Sequence, residues 1–150
     1  MSYIADILKE EYIGQIAELE KEYFGSDAWS ENLIRAEIGQ ENKHYTVICL
    51  DGKVVAYGGF AQVLDEGHIM NIAVRKEYRR QGYAKAVLND FSEKAKKYGV
   101  KRFTLEVRES NLPARKLYEA AGFEFVGIRK GYYSDKENCC IYWSSQEVLF

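Results

Sequence analysis

Two residues, Asp51 and Gly52, stand between two strand-type runs, and they constrain the fold of this 150-residue chain more than any other feature. Residues 44–50, HYTVICL, and residues 53–64, KVVAYGGFAQVL, are rich in β-branched, aromatic and apolar side chains. With only Asp-Gly between them, the direct reading is two antiparallel strands joined by a tight turn. Residues 68–74, HIMNIAV, read as a third strand.

Around this core the period changes. Residues 12–23 carry Ile13, Ile16, Ala17, Leu19 and Tyr23 at near-helical spacing with acids between them, which predicts an amphipathic helix. Ser26 and Asp27 are candidate caps for a second helix whose apolar face is Leu33, Ile34 and Ile38. Residues 82–98 form the strongest helical pattern. Ala84, Val87, Leu88, Phe91 and Ala95 make one stripe, and Gly99 stands where a C-terminal glycine cap belongs. Residues 101–107 read as a strand with Phe103, Leu105 and Val107 on one face and Thr104 and Glu106 on the other. Residues 110–123 read as a helix with Pro113 in its first turn and Gly122 at its end. Short strands near residues 124–129 and 138–144 complete the order. The expectation is one α/β (α+β) domain over residues 1–150, with a largely antiparallel start.

Composition narrows the function classes. Charged residues make up 29% and the net charge is -2, which argues against nucleic-acid binding through bulk charge but leaves room for a local basic patch at residues 75–80. No apolar run is long enough to span a bilayer, and the first twelve residues lack a signal-peptide pattern. Cys49, Cys139 and Cys140 show no metal-type spacing with His44 or His68, so no metal site and reduced thiols in a cytoplasmic protein are expected.

The stretch RRQGYAKAVL, Arg79 to Leu88, puts two arginines and a glycine where the best helix begins. A helix N-terminus offers unpaired N–H groups and a partial positive charge, and a glycine lets a ligand approach the backbone. A diphosphate fits such a site. A solvated basic loop has the same make-up, and neither a dinucleotide fingerprint nor a P-loop is present.

The neighbourhood carries more. HIMNIAVRKEYRRQGYAKAVL resembles the acetyl-CoA-binding motif of the GCN5-related N-acetyltransferase (GNAT) superfamily, in which a strand leads to Q/R-x-x-G-x-G/A opening a helix; Arg79, Gly82 and Ala84 fill that pattern. LEVRESNLPARKLYEAAGFEFVG resembles the superfamily's second motif. AWSE, NIAV, LEVRESN, LYEAAGF and RKGYYSD, together spanning residues 28–135, resemble the branch that acetylates ribosomal-protein N-terminal alanines.

The resemblance implies a GNAT fold, a mixed and mostly antiparallel sheet with helices on both faces, and acetyl-CoA as co-substrate without a metal. It implies that Glu106 is the base that deprotonates the acceptor amine, and that Tyr118 is the acid that protonates the CoA sulfur. Glu106 also suits a solvent-facing strand position, and Tyr118 a helical core stripe with Ala114, Leu117 and Ala121. Ile72, Ala73 and Val74 match the strand that pairs with the pantetheine arm. Arg79, Arg80, Gln81, Gly82, Tyr83, Ala84 and Lys85 match the pyrophosphate turn. Asn111 matches a CoA contact and equally suits a helix cap. Trp29, Tyr132 and Tyr133 match residues around the peptide channel.

The implied function is acetyl transfer to the N-terminal α-amine of a protein, a small-subunit ribosomal protein beginning with alanine, in the cytoplasm. The partner is a protein or peptide N-terminus, with no nucleic acid or membrane, and the enzyme is a monomer or weak dimer. Two departures bear on the acceptor: Ala28 replaces a usual proline, and Cys139–Cys140 replace an acidic residue and an alanine. Either cysteine as a nucleophile lacks a partner histidine in a recognisable motif. Two other readings stay open. One is acetylation of a small amine (a polyamine, amino acid or antibiotic), with Asp65 and Glu66 supplying carboxylates. The other is a CoA-binding regulatory module without turnover.

Overall fold

The structure is a computed structural model and describes residues 2–144. Its strands are β1 (Ile4–Asp6), β2 (Lys43–Leu50), β3 (Lys53–Val63), β4 (Glu66–Val74), β5 (Arg102–Arg108), β6 (Glu124–Arg129) and β7 (Cys139–Trp143). They form one sheet in the order β1-β2-β3-β4-β5-β7-β6, antiparallel throughout except between β4 and β5. The helices are α1 (Ile13–Phe24), α2 (Glu31–Arg35), α3 (Tyr83–Tyr98) and α4 (Leu112–Ala120). The expected mixed, mostly antiparallel sheet with helices on both faces is what the chain forms.

The Asp-Gly hairpin is present. Asp51 and Gly52 have φ of 50° and 80°, and Leu50 faces Lys53 across the turn. Positive φ at both central residues matches the right-handed strand twist. One sheet face buries Val87, Leu88 and Phe91 of α3 and Tyr118 of α4 against Phe60, Ile69, Phe103 and Leu105. The other buries Ile13, Ile16 and Leu19 of α1 and Ile34 of α2 against Tyr45, Val47, Tyr57 and Ala73.

The β4–β5 pairing sets up the site. It runs only from Glu66 opposite Arg102 to Ile69 opposite Leu105. On the other edge of β4, Gly59 faces Asn71 and Phe60 faces Ile69, so Met70 is an extra, bulged residue. A bulge bends and twists its strand. Beyond it β4 stays with β3, while β5 stays with β7 as far as Arg108 opposite Cys139. The two central strands therefore part, leaving an opening with an unpaired β4 edge on one side and Glu106 on the other.

Gly58 and Gly59 allow close approach beside this bulge. A Cβ on Gly58 would lie 2.8 Å from the Asn71 carbonyl oxygen and 2.9 Å from Val87 Cγ1. Gly58→Ala is expected to destabilise the fold by about 1–3 kcal/mol through overpacking. Urea unfolding checks this as a lower midpoint at unchanged slope.

Several expectations are corrected. β1 was not foreseen; it is a three-residue edge strand pairing Ile4 with Cys49. Ser26 and Asp27 do not cap α2 but lie in a 3₁₀ turn, and the cap is Ser30, whose Oγ accepts the Leu33 N–H at 3.3 Å. Only Ile34 of the predicted α2 face is buried; Leu33 and Ile38 are exposed. Arg75 is buried, donating through Nε to the Val54 carbonyl, and so does not belong to a surface basic patch. Glu66 begins β4 rather than preceding it.

Candidate functional site

The opening between β4 and β5 is flanked by two hollows. The first, a cleft of about 340 Å³, lies between the start of α3, the end of β4 and α4. α3 forms because its apolar stripe is uninterrupted and both ends are marked by glycine. Gly82 has φ 88° at the N-cap, and Gly99 has φ 78° at the C-cap. No capping side chain takes the first-turn N–H groups of α3, so they remain available to an anion. Arg80 precedes them with φ 63°, a left-handed backbone that turns the chain into the helix.

The cleft brings together Ile72, Val74, Arg79, Arg80, Gly82, Tyr83, Ala84, Lys85 and Tyr118 from the sequence-predicted set. It adds Tyr23, Tyr78, Pro113, Ala114 and Leu117, which the sequence reading did not assign to a site. Gln81 does not line the cleft but an adjoining hollow with Tyr3 and Asn89, which shares Gly82, Tyr83 and Lys85 with it. Ala73 faces away, into the α1 side of the core. Asn111 is outside the lining; its Oδ1 accepts the Ala114 N–H at 3.2 Å and caps α4. Arg79 is held by its surroundings: Nε donates to the Val74 carbonyl at 3.2 Å, and the guanidinium lies over the Tyr23 ring at 5.1 Å.

Tyr118 is buried, its ring edge-to-face with Phe123 at 5.6 Å between centroids. Burial, and then the neighbouring Tyr23, push its hydroxyl well above the ordinary tyrosine value, so it stays protonated.

The second hollow, about 690 Å³, is lined by β4, β5, β6 and β7 together with Tyr132 and Tyr133. Glu106 is exposed here, as the alternation along β5 predicts, while Phe103, Leu105 and Val107 are buried. Thr104, on the Glu106 face, is buried as well, with its hydroxyl donating to the Tyr142 carbonyl at 2.9 Å. Around Glu106 the Tyr132 hydroxyl donates to Oε1 at 3.3 Å, Arg129 Nε lies 3.6 Å from Oε2, and the Cys139 thiol approaches Oε2 at 3.8 Å. His68, Met70, Val126, Arg129, Ile141 and Trp143 also line this hollow and were not foreseen. They come from three separate strands, β4, β6 and β7, so no local motif announces them.

Burial and the Glu106 charge push the Cys139 thiol up. A thiol is nucleophilic only as thiolate, so Cys139 is a neutral neighbour of Glu106 and not an attacking group. Its neighbour Cys140 faces the opposite core, as alternation in a strand requires. All three thiols are free and buried.

Trp29 does not line either hollow. It packs on the α1 side, and its N–H donates to Glu20 Oε1 at 2.8 Å. Glu66 is occupied by Arg102 at 2.9 Å and His68 at 3.5 Å. Among the described residues no group of three or more His, Cys, Asp or Glu could hold a metal ion, and no helix is long and apolar enough to cross a membrane.

Comparison with known proteins gives one consistent result. Residues 3–123 match the model of the acetyltransferase (GNAT) family. The chain is 38% identical over 105 residues to the ribosomal protein bS18-alanine N-acetyltransferase of Escherichia coli (strain K12), covering 70% of each. It is similar in structure to the ribosomal-protein-S18-alanine N-acetyltransferase from Escherichia coli, with a TM-score of 0.84 at 32% identity over 95% of this chain and 93% of that one. It shares its fold with Arabidopsis thaliana NAA60 in complex with acetyl-CoA, with a TM-score of 0.83 at 15% identity, 95% of this chain and 97% of that one being covered.

Proposed function

The chain belongs to the acetyltransferase (GNAT) family, and on that premise we propose that it moves an acetyl group from acetyl-CoA to the N-terminal α-amine of a protein. The substrate is a small-subunit ribosomal protein beginning with alanine, modified in the cytoplasm, and the enzyme acts as one domain over residues 1–150 without a metal. The observation that carries this reading is the pair of hollows on the two sides of the β4–β5 opening, with Tyr118 lining one and Glu106 the other. The likeness to the bS18-alanine acetyltransferases supports the choice of acceptor.

The first cleft suits acetyl-CoA. The uncapped N–H groups of α3, Gly82 with its positive φ, and Arg80 and Lys85 would hold the diphosphate. The unpaired edge of β4 beyond Ile69 offers backbone groups to the amides of a pantetheine arm. Bound there, acetyl-CoA supplies an activated thioester carbonyl.

The remaining work falls to the chain's own side chains. A peptide α-amine has a pKa of roughly 7.7–8.0, so near neutral pH a modest base suffices to free its lone pair. Glu106 accepts that proton, directly or through one water. Tyr118 keeps its proton through burial and gives it to the sulfur that departs. Tyr132 and Cys139 donate to the Glu106 carboxylate and hold it in place. Tyr132 and Tyr133 wall the acceptor, while Trp29 stays outside the hollow, in the loop before α2.

Acetylation of a polyamine is the second reading. Among the described residues Glu106 is the only carboxylate lining the second hollow, and Glu66 is already paired with Arg102 and His68; a polycation favours several free acids. The test is CoA-thiol release with an alanine-initiated ribosomal peptide and with the same peptide α-blocked. Release only with the free amine is expected. Equal release with both, or release with spermidine alone, overturns the reading.

A further inference from the structure

We infer that Glu20 is a positioning residue for the acceptor site, its buried carboxylate holding the loop at residues 25–29 across the opening between β4 and β5. The inference rests on the acceptor reading above.

Glu20 lies in α1 and is 1% exposed. Its Oε1 accepts the Trp29 N–H at 2.8 Å. Its Oε2 accepts from the Tyr57 hydroxyl of β3 and from Asn71 Nδ2 of β4 at 3.1 Å. Asn71 Nδ2 also donates to the Tyr57 oxygen at 2.8 Å. Burial raises the Glu20 carboxyl above its ordinary value, and the Trp29 and Asn71 N–H groups oppose that rise.

A buried carboxylate is expensive to keep, and an apolar side chain of equal volume often serves packing as well. What the apolar side chain cannot do is accept a backbone N–H. The bond to the Trp29 backbone is therefore one that an apolar side chain in this place forfeits, along with those from Tyr57 and Asn71. It fixes a loop whose own structure is a single 3₁₀ turn to the bulged arm of the opening, where Asn71 follows Met70.

The same loop is tied to the other arm. Asp27 lies 3.7 Å from Arg108 of β5, two residues beyond Glu106. Arg108 also pairs with Asp135 at 2.9 Å and Glu137 at 3.0 Å and lies over the Tyr133 ring at 4.1 Å. The loop thus spans both arms, and it follows the last turn of α1, where Tyr23 lines the cofactor cleft. Asn71 Oδ1 is buried without a hydrogen-bond partner. That atom is free to take an N–H if the residue at position 20 becomes a donor.

The test compares Glu20→Gln with Glu20→Met in the full chain. Glutamine keeps an oxygen for Trp29, and its amide N–H can meet Tyr57 or a flipped Asn71. Methionine keeps the volume and removes every acceptor. Dissociation constants are measured for an alanine-initiated peptide with CoA present, and separately for acetyl-CoA. Glu20→Met is expected to weaken the peptide about tenfold or more, with acetyl-CoA held within about twofold and Glu20→Gln near wild type. Equal weakening of both ligands, or no difference between the two variants, overturns the inference.

Amide exchange in the wild-type chain needs no variant and no turnover. The Trp29 N–H is expected to exchange about a hundredfold or more slowly than a free loop amide. Exchange at the free rate overturns the anchor whatever the activity. A protected Trp29 in a chain that acetylates nothing supports the anchor and overturns only the acceptor reading.

Discussion

Glu106→Gln is expected to lower kcat about a hundred- to a thousandfold while acetyl-CoA binds with its affinity unchanged. The amide keeps the size of the carboxylate and one of its two acceptor oxygens but cannot take up a proton at neutral pH. Glu106 sits on β5, on the side of the opening away from the α3 cleft, so its loss leaves the diphosphate turn and the β4 edge intact. Glutamine keeps one oxygen for Tyr132 on Oε1 or for Arg129 on Oε2; both contacts lie at an exposed strand position, so the fold and the walls of the hollow should persist. Steady-state kinetics with the alanine peptide, paired with calorimetric titration of acetyl-CoA, separates the two quantities. A kcat within about threefold of wild type would remove Glu106 from the role of base.

Tyr118→Phe should lower kcat by roughly one to two orders of magnitude, again with acetyl-CoA binding retained. The substitution removes one hydroxyl and leaves the ring packed against Phe123. The pH profile gives a second readout. Burial and the neighbouring Tyr23 hold the Tyr118 hydroxyl above the ordinary tyrosine value. The protonated form, which is the active one, therefore persists through and beyond neutral pH, and it is lost only as pH rises past that elevated value. The wild-type enzyme should accordingly show no basic limb from this group below about pH 10. A basic limb near pH 8 that disappears in Tyr118→Phe would contradict the placement of that hydroxyl in its buried, neutral state.

What the sequence made legible was local. Asp51–Gly52 between two apolar runs fixes a hairpin because few other turns join strands over two residues. Gly82 and Gly99 bracket α3 because a left-handed residue is needed at each end. The cofactor cleft was largely readable for the same reason, since most of its predicted residues lie in one strand–turn–helix stretch. β1 escaped because three residues at a sheet edge carry too little pattern. Ser26 and Asp27 resembled a cap as well as Ser30 does, and composition alone does not rank them.

The acceptor side was harder to read because it is assembled from distant segments. Glu20 looks like a solvent-facing acid among the charges of α1, yet its side-chain partners are 37 and 51 residues away. Arg75 looks like surface charge beside Arg79 and Arg80, yet its side chain reaches back to Val54 in β3. His68, Arg129 and Trp143 meet only because β7 inserts between β5 and β6. Long-range pairing of this kind leaves no periodic trace in a single chain.

The most direct measurement of the central claim locates the acetyl group after reaction. A peptide that begins with alanine and carries an internal lysine is incubated with acetyl-CoA and the enzyme, then fragmented in a mass spectrometer. Acetyl on the α-amine alone, appearing in step with CoA release, is the predicted result. Acetyl on the lysine side chain, or CoA release with no acetyl on the peptide, would contradict it.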